Sequence, residues 1–347
     1  MSIKLESIKS DLANYQEIVK RYSKAEWGKA VFEIIKTHLP FLAIFVGAAI
    51  AYEYSILLSI LFSVAGGLFL TRMFIIQHDC GHQAFTPSKK GNNAIGFITS
   101  FFTLIPYKYW AKSHNYHHAH QGQIDTHTVG DVTLLTVEEY TKLSKWEQFK
   151  YRVYRNPVSL FFIGPMYYIF IHNRIPFVEM QGWEKAKRSL MLTNVYLLAF
   201  YAALGFLIGF QKMLIIYVPI IFVFATISIW FFYIQHQHNP NYKAYKKDWD
   251  FISAAIVGSS YYKLPAFMNF FTGNIGYHHI HHLASKIPFY KLPKCSVENP
   301  ILQKHVPTLK FFGSLKYAFY TLWNEKNQQM ITFRQYRKMF VIQKVKA

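Results

Sequence analysis

The chain has 347 residues, and with 52% hydrophobic but only 16% charged residues it is too apolar for an ordinary soluble domain. Its basic balance, 38 Lys and Arg against 18 Asp and Glu, would suit nucleic acid, but seven basic residues lie in residues 1–36 and none lies between Thr37 and Thr71. Basic segments that flank apolar stretches are typical of the cytoplasmic parts of membrane proteins, so we expect a membrane protein without a nucleic-acid partner.

Four stretches are apolar enough to cross a bilayer as helices, which takes about 20 residues. They form two pairs, residues 39–53 with 55–76 and residues 190–210 with 213–234, and each pair predicts a helical hairpin. The first stretch begins too late for the apolar region of a signal peptide, so we expect no cleavable signal. Two shorter apolar runs, about 94–105 and 158–171, predict re-entrant or interfacial helices.

Amphipathic segments occupy much of the remainder. Thr136 and Glu139 have the spacing of a capping box and predict a helix that continues to about Tyr154. Its apolar residues recur at helical spacing among basic ones, which suits either a helix on the membrane surface or one packed on the polar domain. Residues 309–339 have a similar pattern and predict a similar helix.

The charge pattern also predicts the topology. The basic N-terminus should be cytoplasmic, and each hairpin returns the chain to that side. Residues 1–36, 77–188 and 235–347 are therefore expected to be cytoplasmic parts of one integral-membrane domain that comprises residues 1–347. The predicted fold class is an all-α membrane protein with four transmembrane helices in two hairpins and a helical cytoplasmic cap.

The sixteen histidines are clustered along the chain. Three clusters have helical spacing: HDCGH at residues 78–82, HNYHH at residues 114–118 and HHIHH at residues 278–282. A fourth, QHQH at residues 235–238, follows the last span. Residues i, i+3 and i+4 share a face of a helix, and all four clusters fall on one predicted side of the membrane. They can therefore form one site.

This pattern predicts a metal centre. Imidazole binds iron, zinc, copper and nickel, and eight or nine such ligands suit two ions better than one. Structural zinc sites take four ligands and often use thiolates, whereas the sequence has only Cys80 and Cys295. Soluble di-iron bundles use carboxylates with Glu-x-x-His pairs, which this sequence lacks. Membrane haem proteins ligate haem within the spans, so a histidine-rich di-iron centre is the remaining interpretation.

With these clusters the sequence resembles the membrane fatty acid desaturases, whose hallmark is three histidine boxes of the forms HxxxH, HxxHH and HxxHH. The resemblance runs from about Leu39 to Pro293. Through GDVTLLTVEEY, YRNP, GSSYYKLP and FTGNIGYHHIHHL it looks closest to bacterial acyl-lipid desaturases of the delta-five and delta-twelve type. It implies two non-haem irons. On matching positions the implied ligands are His78, His82, His114, His117, His118, His236, His278, His281 and His282.

Other polar residues close to the boxes in sequence are candidates for orienting these ligands. They are Asp79, Asp125, Asp250 and His238. For each carboxylate, a solvated or capping role is the alternative, and His238 is the second choice for the position of His236. Three histidines near the boxes are left out of the ligand set: His120, His127 and His279.

The resemblance also implies a reaction. Two iron ions would activate O2, and hydrogens would be removed from neighbouring carbons of a lipid-linked fatty acyl chain held in an apolar tunnel. Electrons would come from an external carrier such as ferredoxin, because the sequence has no haem, Rossmann or ferredoxin motif. The basic face could attract such an acidic carrier, or it could hold the protein against anionic lipid. The protein would lie in a bacterial inner membrane.

Two other functions stay open at this point. A hydroxylase or ketolase would have the same boxes. A non-catalytic metal-binding or transport protein is the second alternative, although transport sites usually lie near the bilayer midplane rather than past the ends of the spans.

Overall fold

Four long helices dominate the structure, a computed structural model that describes residues 5–126, 129–178 and 180–341. The first nine helices are α1 (Leu5–Asp11), α2 (Tyr15–Lys20), α3 (Trp27–Tyr52), α4 (Ile56–Gly81), α5 (Lys89–Thr103), α6 (Tyr107–His120), α7 (Val137–Lys142), α8 (Lys145–Tyr154) and α9 (Gly164–Phe170). They are followed by α10 (Glu184–Ile208), α11 (Phe210–Ile234), α12 (Phe251–Ile256), α13 (Ala266–Phe271), α14 (His278–Leu283), α15 (Leu292–Glu298), α16 (Phe311–Ser314) and α17 (Phe333–Tyr336).

The helices α3, α4, α10 and α11 have 25 or 26 residues each and are apolar enough to cross a bilayer. They form two hairpins, as predicted. Each hairpin turn has a clear local cause. The Ser55 hydroxyl accepts a hydrogen bond from the Leu58 amide and caps α4, and Gly209 joins α10 to α11 at a φ of +89°, which glycine adopts without strain.

Both hairpin turns lie on the same side of the protein. Lys212, just after the second turn, forms an ion pair with Glu53 at the first turn. The opposite ends of α4 and α11 therefore lie together as well. Those ends carry His78 on α4 and lead to His236 just after α11.

Helix α4 is the centre of the bundle and packs closely on α11. A Cβ atom at Gly67 would lie 2.6 Å from the Val223 Cβ and 2.9 Å from the Ile220 carbonyl oxygen, so only glycine permits this approach. On the outer faces of the bundle many large apolar side chains are exposed, among them Leu39 and Leu198. Such a surface suits contact with lipid.

Two segments that the sequence predicted as re-entrant or interfacial pack along the bundle: the Phe102 carbonyl on α5 accepts a hydrogen bond from the Tyr217 hydroxyl, and Phe162, just before α9, stacks on Phe222. The other described residues of segments 5–26, 82–183 and 235–341 form a cap at the histidine-bearing end. It contains five short strands: β1 (Leu135–Thr136), β2 (Tyr261–Lys263), β3 (Thr308–Lys310), β4 (Leu322–Asn324) and β5 (Gln329–Ile331). Strand β4 lies between a parallel β1 and an antiparallel β5, and β2 pairs in parallel with β3. The protein is otherwise mostly helical, so the predicted all-α membrane class is confirmed.

Two local predictions about the cap were wrong. The helix expected from Thr136 to about Tyr154 is two helices, because Ser144 and Glu147 form a second capping box that begins α8. The single amphipathic helix expected over residues 309–339 is instead a series of short helices, including α16 and α17, and short strands joined by turns. Its strands pair with distant partners, as Leu322 does with Leu135, and such pairing leaves no local sequence pattern.

Candidate metal centre

The three histidine boxes and His236 belong to four segments that meet where the bundle joins the cap. His78 is in the last turn of α4 and His82 directly follows that helix. Helix α6 carries the second box, and α14 consists largely of the third box. His236 lies two residues beyond α11. The ends of the two central spans therefore fix the position of the whole cluster.

The first histidine group lies between α4, α6 and α14. Its potential ligand nitrogens all lie within 4.8 Å of one another. The Nε2 atoms of His114 and His118 are 3.1 Å apart, and that of His281 is 3.1 Å from that of His118. The members of this group are His78, His82, His114, His118 and His281.

The second histidine group lies beside the first. His117, His236 and His282 have potential ligand nitrogens within 4.8 Å of one another. His278 joins them, because its Nε2 is 2.9 Å from that of His236 and 3.1 Å from that of His282. The rings of His118 and His282 stack with centroids 4.1 Å apart, so the two groups are in direct contact. The structure thus brings together all nine histidines singled out in the sequence.

Each HxxHH box contributes to both groups. In HNYHH, His114 and His118 belong to the first group and His117 to the second. HHIHH divides in the same way, with its first and last histidines in the second group and its fourth residue in the first. A helix turns by about 100° per residue, so positions i+3 and i+4 point in clearly different directions. The box spacing therefore suits two adjacent ions.

The two groups fit metal ions better than they fit hydrogen bonding. Metal–imidazole bonds are about 2.0–2.1 Å long, so neighbouring ligand nitrogens on one ion lie about 3 Å apart, and the closest pairs here are 2.9–3.2 Å apart. A neutral Nε2 donates or accepts one hydrogen bond, yet that of His236 faces both His117 and His278. Both ring nitrogens of His82 are buried and have no hydrogen-bond partner within the described residues. Buried polar atoms need partners, and cations would supply them.

Burial keeps these imidazoles neutral. It lowers the pKa of His114, His118 and His282 well below the usual value, and neighbouring histidines lower it further. Burial also lowers the pKa of His117, although the Asp131 carboxylate opposes the shift. Neutral imidazole is the form that binds a metal ion, so the site is ready to bind at neutral pH.

Two carboxylates and one backbone carbonyl face the outer ring nitrogens of the groups. Asp79 Oδ1 lies 3.1 Å from His78 Nδ1, and its Oδ2 accepts a hydrogen bond from the Phe289 amide at 2.6 Å. Asp131 Oδ2 lies 3.7 Å from His117 Nδ1. The Gly258 carbonyl lies 3.3 Å from the Nδ1 of His236. Contacts at hydrogen-bond distance, such as those of Asp79 and Gly258, fix the ring orientation and the tautomer of a ligand. Asp131 is farther away and acts on His117 through its charge.

Asp79 thus contacts a candidate ligand, as predicted, but the other two predicted carboxylates do not. Asp125 accepts a hydrogen bond from the Lys246 amide, at 3.1 Å. Asp250 caps α12 by accepting hydrogen bonds from the amide and hydroxyl of Ser253, and it pairs with Lys9. Proximity in sequence to the boxes was misleading for these two carboxylates, because each accepts a hydrogen bond from a backbone amide and neither faces a histidine of the two groups.

The remaining histidines near the boxes point elsewhere. His238 is fully buried, with Nδ1 2.7 Å from the Pro240 carbonyl, and burial lowers its pKa to about 4. His279 has its Nε2 3.1 Å from the Gln303 side-chain nitrogen, and His120 bonds its own helix. None of the three belongs to either group of described histidines. His127 lies outside the described residues.

An aromatic residue precedes a histidine by four positions in three elements. We call these residues the aromatic collar: Phe74, Trp110 and Phe232. Trp110 stacks on His114 with centroids 4.6 Å apart and meets Phe74 edge to face at 5.0 Å. The Phe232 ring lies 5.0 Å from that of His117. Phe74 and Phe232 lie four residues before His78 and His236, so they stand between these histidines and the apolar bundle.

The sequence interpretation missed both Asp131 and the collar. Asp131 follows Gly130, whose φ of +77° turns the chain against α6, and a loop carboxylate that far from a box carries no local signal. The collar did have a signal, since an aromatic residue four positions before a ligand lies on the same helix face.

Comparisons with known proteins agree with the site. A family model described as fatty acid desaturase matches residues 54–313, which include all three boxes. A protein of Bacillus subtilis strain 168 named "Fatty acid desaturase" is 38% identical over 316 residues, covering 91% of this chain and 89% of the relative. A Synechocystis protein named "sn-1 acyl-lipid omega-3 desaturase (ferredoxin)" is 32% identical over 257 residues, covering 70% and 67%. A Nostoc protein of the same name is 27% identical over 286 residues, covering 80% and 76%.

Proposed function

The chain belongs to the fatty acid desaturase family, and on that premise we propose that it desaturates a lipid-linked fatty acyl chain with O2 and two iron ions. The observation that carries the proposal is the convergence of nine imidazoles in two adjacent groups at the end of a bundle of membrane-capable helices. Neutral imidazole suits iron as well as zinc, copper and nickel, and the family of the chain supports iron among these metals.

We assign one ion to each histidine group. The first ion would be held by His78, His82, His114, His118 and His281, and the second by His117, His236, His278 and His282. When bound, the ions supply the oxygen chemistry that removes hydrogen from an unactivated carbon chain. The residues of the chain hold the ions, orient the ligands through Asp79 and the Gly258 carbonyl, and exclude water on the bundle side.

The acyl chain would approach from the membrane through the aromatic collar. A substrate of methylene groups offers no hydrogen bonds, so it must be aligned by packing against rings such as Phe74 and Trp110. Trp110 lies directly against His114, which would place a chain that passes the collar next to the first histidine group. The acyl-lipid names of the cyanobacterial relatives support a substrate that stays in the bilayer.

The balance of the reaction requires a source of electrons. Conversion of –CH2–CH2– to –CH=CH– releases two hydrogen atoms, and O2 takes them up with two electrons and two protons to form two water molecules. We propose that an acidic carrier of the ferredoxin type supplies the electrons. The ferredoxin named in the two relatives and the net charge of +20 both support such a donor.

We further propose that the cap faces the cytoplasm of a bacterial cell. The basic residues that precede α3 lie at the histidine-bearing end, as do those of the cap, and the rule that positive charge stays inside supports this orientation. The similarity to a Bacillus subtilis protein supports a bacterial inner membrane.

Expression in a bacterium that does not make polyunsaturated lipids tests the proposal. We expect new unsaturated fatty acids by mass spectrometry of membrane lipids, with the double bond located by fragmentation. The variant His117→Ala should abolish them, while His120→Ala on the same helix should not. Hydroxylated or oxidised acyl chains instead would favour a hydroxylase or ketolase, and unchanged lipids with metal flux in proteoliposomes would favour transport.

A further inference from the structure

A cavity of about 40 Å³ lies inside the cap, directly beside the second histidine group. Its inner wall includes His117, which is 2% exposed. Its other wall includes Tyr116, His120 and Thr126, which are partly exposed at the surface of the cap. We call this cavity the polar chamber. It extends from a candidate metal ligand to residues that solvent can reach.

Several buried polar atoms of the residues that line the chamber have no hydrogen-bond partner in the described part of the chain. They are the side-chain oxygens of Gln121, Gln123 and Gln237 and the indole nitrogen of Trp323. Buried polar atoms in native proteins are nearly always paired, often with ordered water. A volume of about 40 Å³ holds about three water molecules, and each would find several of these atoms within reach.

The chamber also contains opposite charges. Lys243 lines it and is only 7% exposed, and Asp131 lines it beside His117. A buried ammonium group that lacked water would carry a large desolvation cost. The lining is therefore unlike the aromatic collar, which meets His117 with the apolar ring of Phe232.

The loop at Gly130 packs closely on α6, beside the chamber. A Cβ atom at Gly130 would lie 3.2 Å from the Cβ of His117 and 2.7 Å from the Ser113 carbonyl oxygen. The segment Val129–Asp131 thus packs tightly on the helix that carries the second box. Val129 lines the chamber, so a larger side chain at this position can narrow it.

We propose that the polar chamber is a hydrated passage between the second histidine group and the surface of the cap. The inference rests on the proposed function, because each double bond consumes two protons and yields two water molecules that cannot cross the apolar collar. Water in the chamber brings protons to the centre as solvent and carries the product water away. No step in this passage requires a change in the charge of a side chain.

Radiolytic hydroxyl-radical footprinting of the unmodified holoprotein tests the hydration. Hydroxyl radicals made from bound water oxidise adjacent side chains, so Trp323 should be oxidised although it is only 1% exposed. Trp183 is the matched control, since it is 2% exposed but packs in an apolar cluster with Leu190. Equal protection of both tryptophans would overturn the proposal, whatever the activity of the enzyme.

Azide binding to the oxidised holoprotein tests whether the passage reaches the metal ions. The visible absorption of the azide complex gives the rate, and Val129→Phe should slow it severalfold with the iron content unchanged. Val178→Phe is the control, because Val178 packs against the same apolar cluster as Val129 but is not among the residues that line the chamber.

The outcomes separate this inference from the proposed function. Unchanged azide rates in both variants, or equal slowing in both, would overturn the passage and leave the desaturase assignment intact. A wild-type protein that binds no iron would overturn the proposed centre and the inner end of the passage together.

Discussion

Asp79→Asn isolates the contribution of one carboxylate to metal binding. The Asp79 side chain is 1% exposed, and its two oxygens contact His78 Nδ1 and the Phe289 amide at 3.1 and 2.6 Å. Asparagine has nearly the same shape but only one acceptor oxygen, so one of the two contacts is lost. Loss of such a partner lowers metal affinity by about 10- to 100-fold, or about 1.4–2.7 kcal/mol.

The assay is iron competition against a chelator of known affinity, with the purified protein in detergent. Asp125→Asn is the control, because the same change is made at a carboxylate that accepts a hydrogen bond from the Lys246 amide and belongs to neither group of described histidines. We expect a loss of iron affinity in the first variant and none in the second. Wild-type affinity in Asp79→Asn, or the same loss in both variants, would refute the reasoning that this carboxylate orients a ligand.

Three further predictions concern stability, topology and substrate contact. In the iron-free protein the free energy of unfolding should fall as the pH drops from about 7.5 to 5.5, because buried His82 and His282 have folded pKa values well below the unfolded value of about 6.5. Above that pKa both histidines are neutral in the folded and unfolded protein, so the full stability is present. Below it the unfolded chain binds protons that the folded protein does not, and the free energy of unfolding falls by up to about 1.4 kcal/mol per histidine and pH unit. Thermal unfolding at both pH values would show the loss, and a Tm that rises on acidification would contradict it. An impermeant maleimide added to intact cells should label Tyr54→Cys at the hairpin turn, which would face outward, but not Asn115→Cys on α6, which would face the cytoplasm. Both native cysteines are buried and should give little background labelling. The reverse pattern would invert the proposed orientation. Phe74→Leu should lower kcat/KM about tenfold at unchanged iron content, because the acyl chain would lose a ring that aligns it. Phe62→Leu, about three turns nearer the N-terminus of α4, should have wild-type kinetics.

The sequence predicted the bundle and the histidine set well because both depend on local patterns. Four long apolar stretches with basic flanks specify helices that cross a bilayer. The helical spacing within each box places its histidines near one another before any tertiary contact forms. Even the division of HNYHH between two groups follows from the angle between positions i+3 and i+4.

The errors arose where a side chain had two possible uses. Asp250 is followed three residues later by Ser253, which is the spacing of a helix cap, and that local use prevailed over the metal site. The sequence also contained a signal for the break before α8, because Ser144 and Glu147 repeat the capping-box spacing.

Other features depend on contacts that sequence order does not reveal. Asp131 reaches His117 only because the chain turns back onto α6 at Gly130. The polar chamber combines residues from three distant segments, for example Gln121, Gln237 and Trp323. No periodicity in one sequence brings such residues together.

The metal content of the purified protein tests the central claim most directly. Wild-type protein should contain two irons per chain by elemental analysis, and His236→Ala, which removes a nitrogen that faces both His117 and His278, should retain about one. The variant His279→Ala should still contain two irons, because His279 on α14 is next to a box position but contacts the Gln303 side chain instead of a histidine group. A wild-type protein that holds zinc or no metal, or a His236→Ala variant with full iron content, would contradict the account.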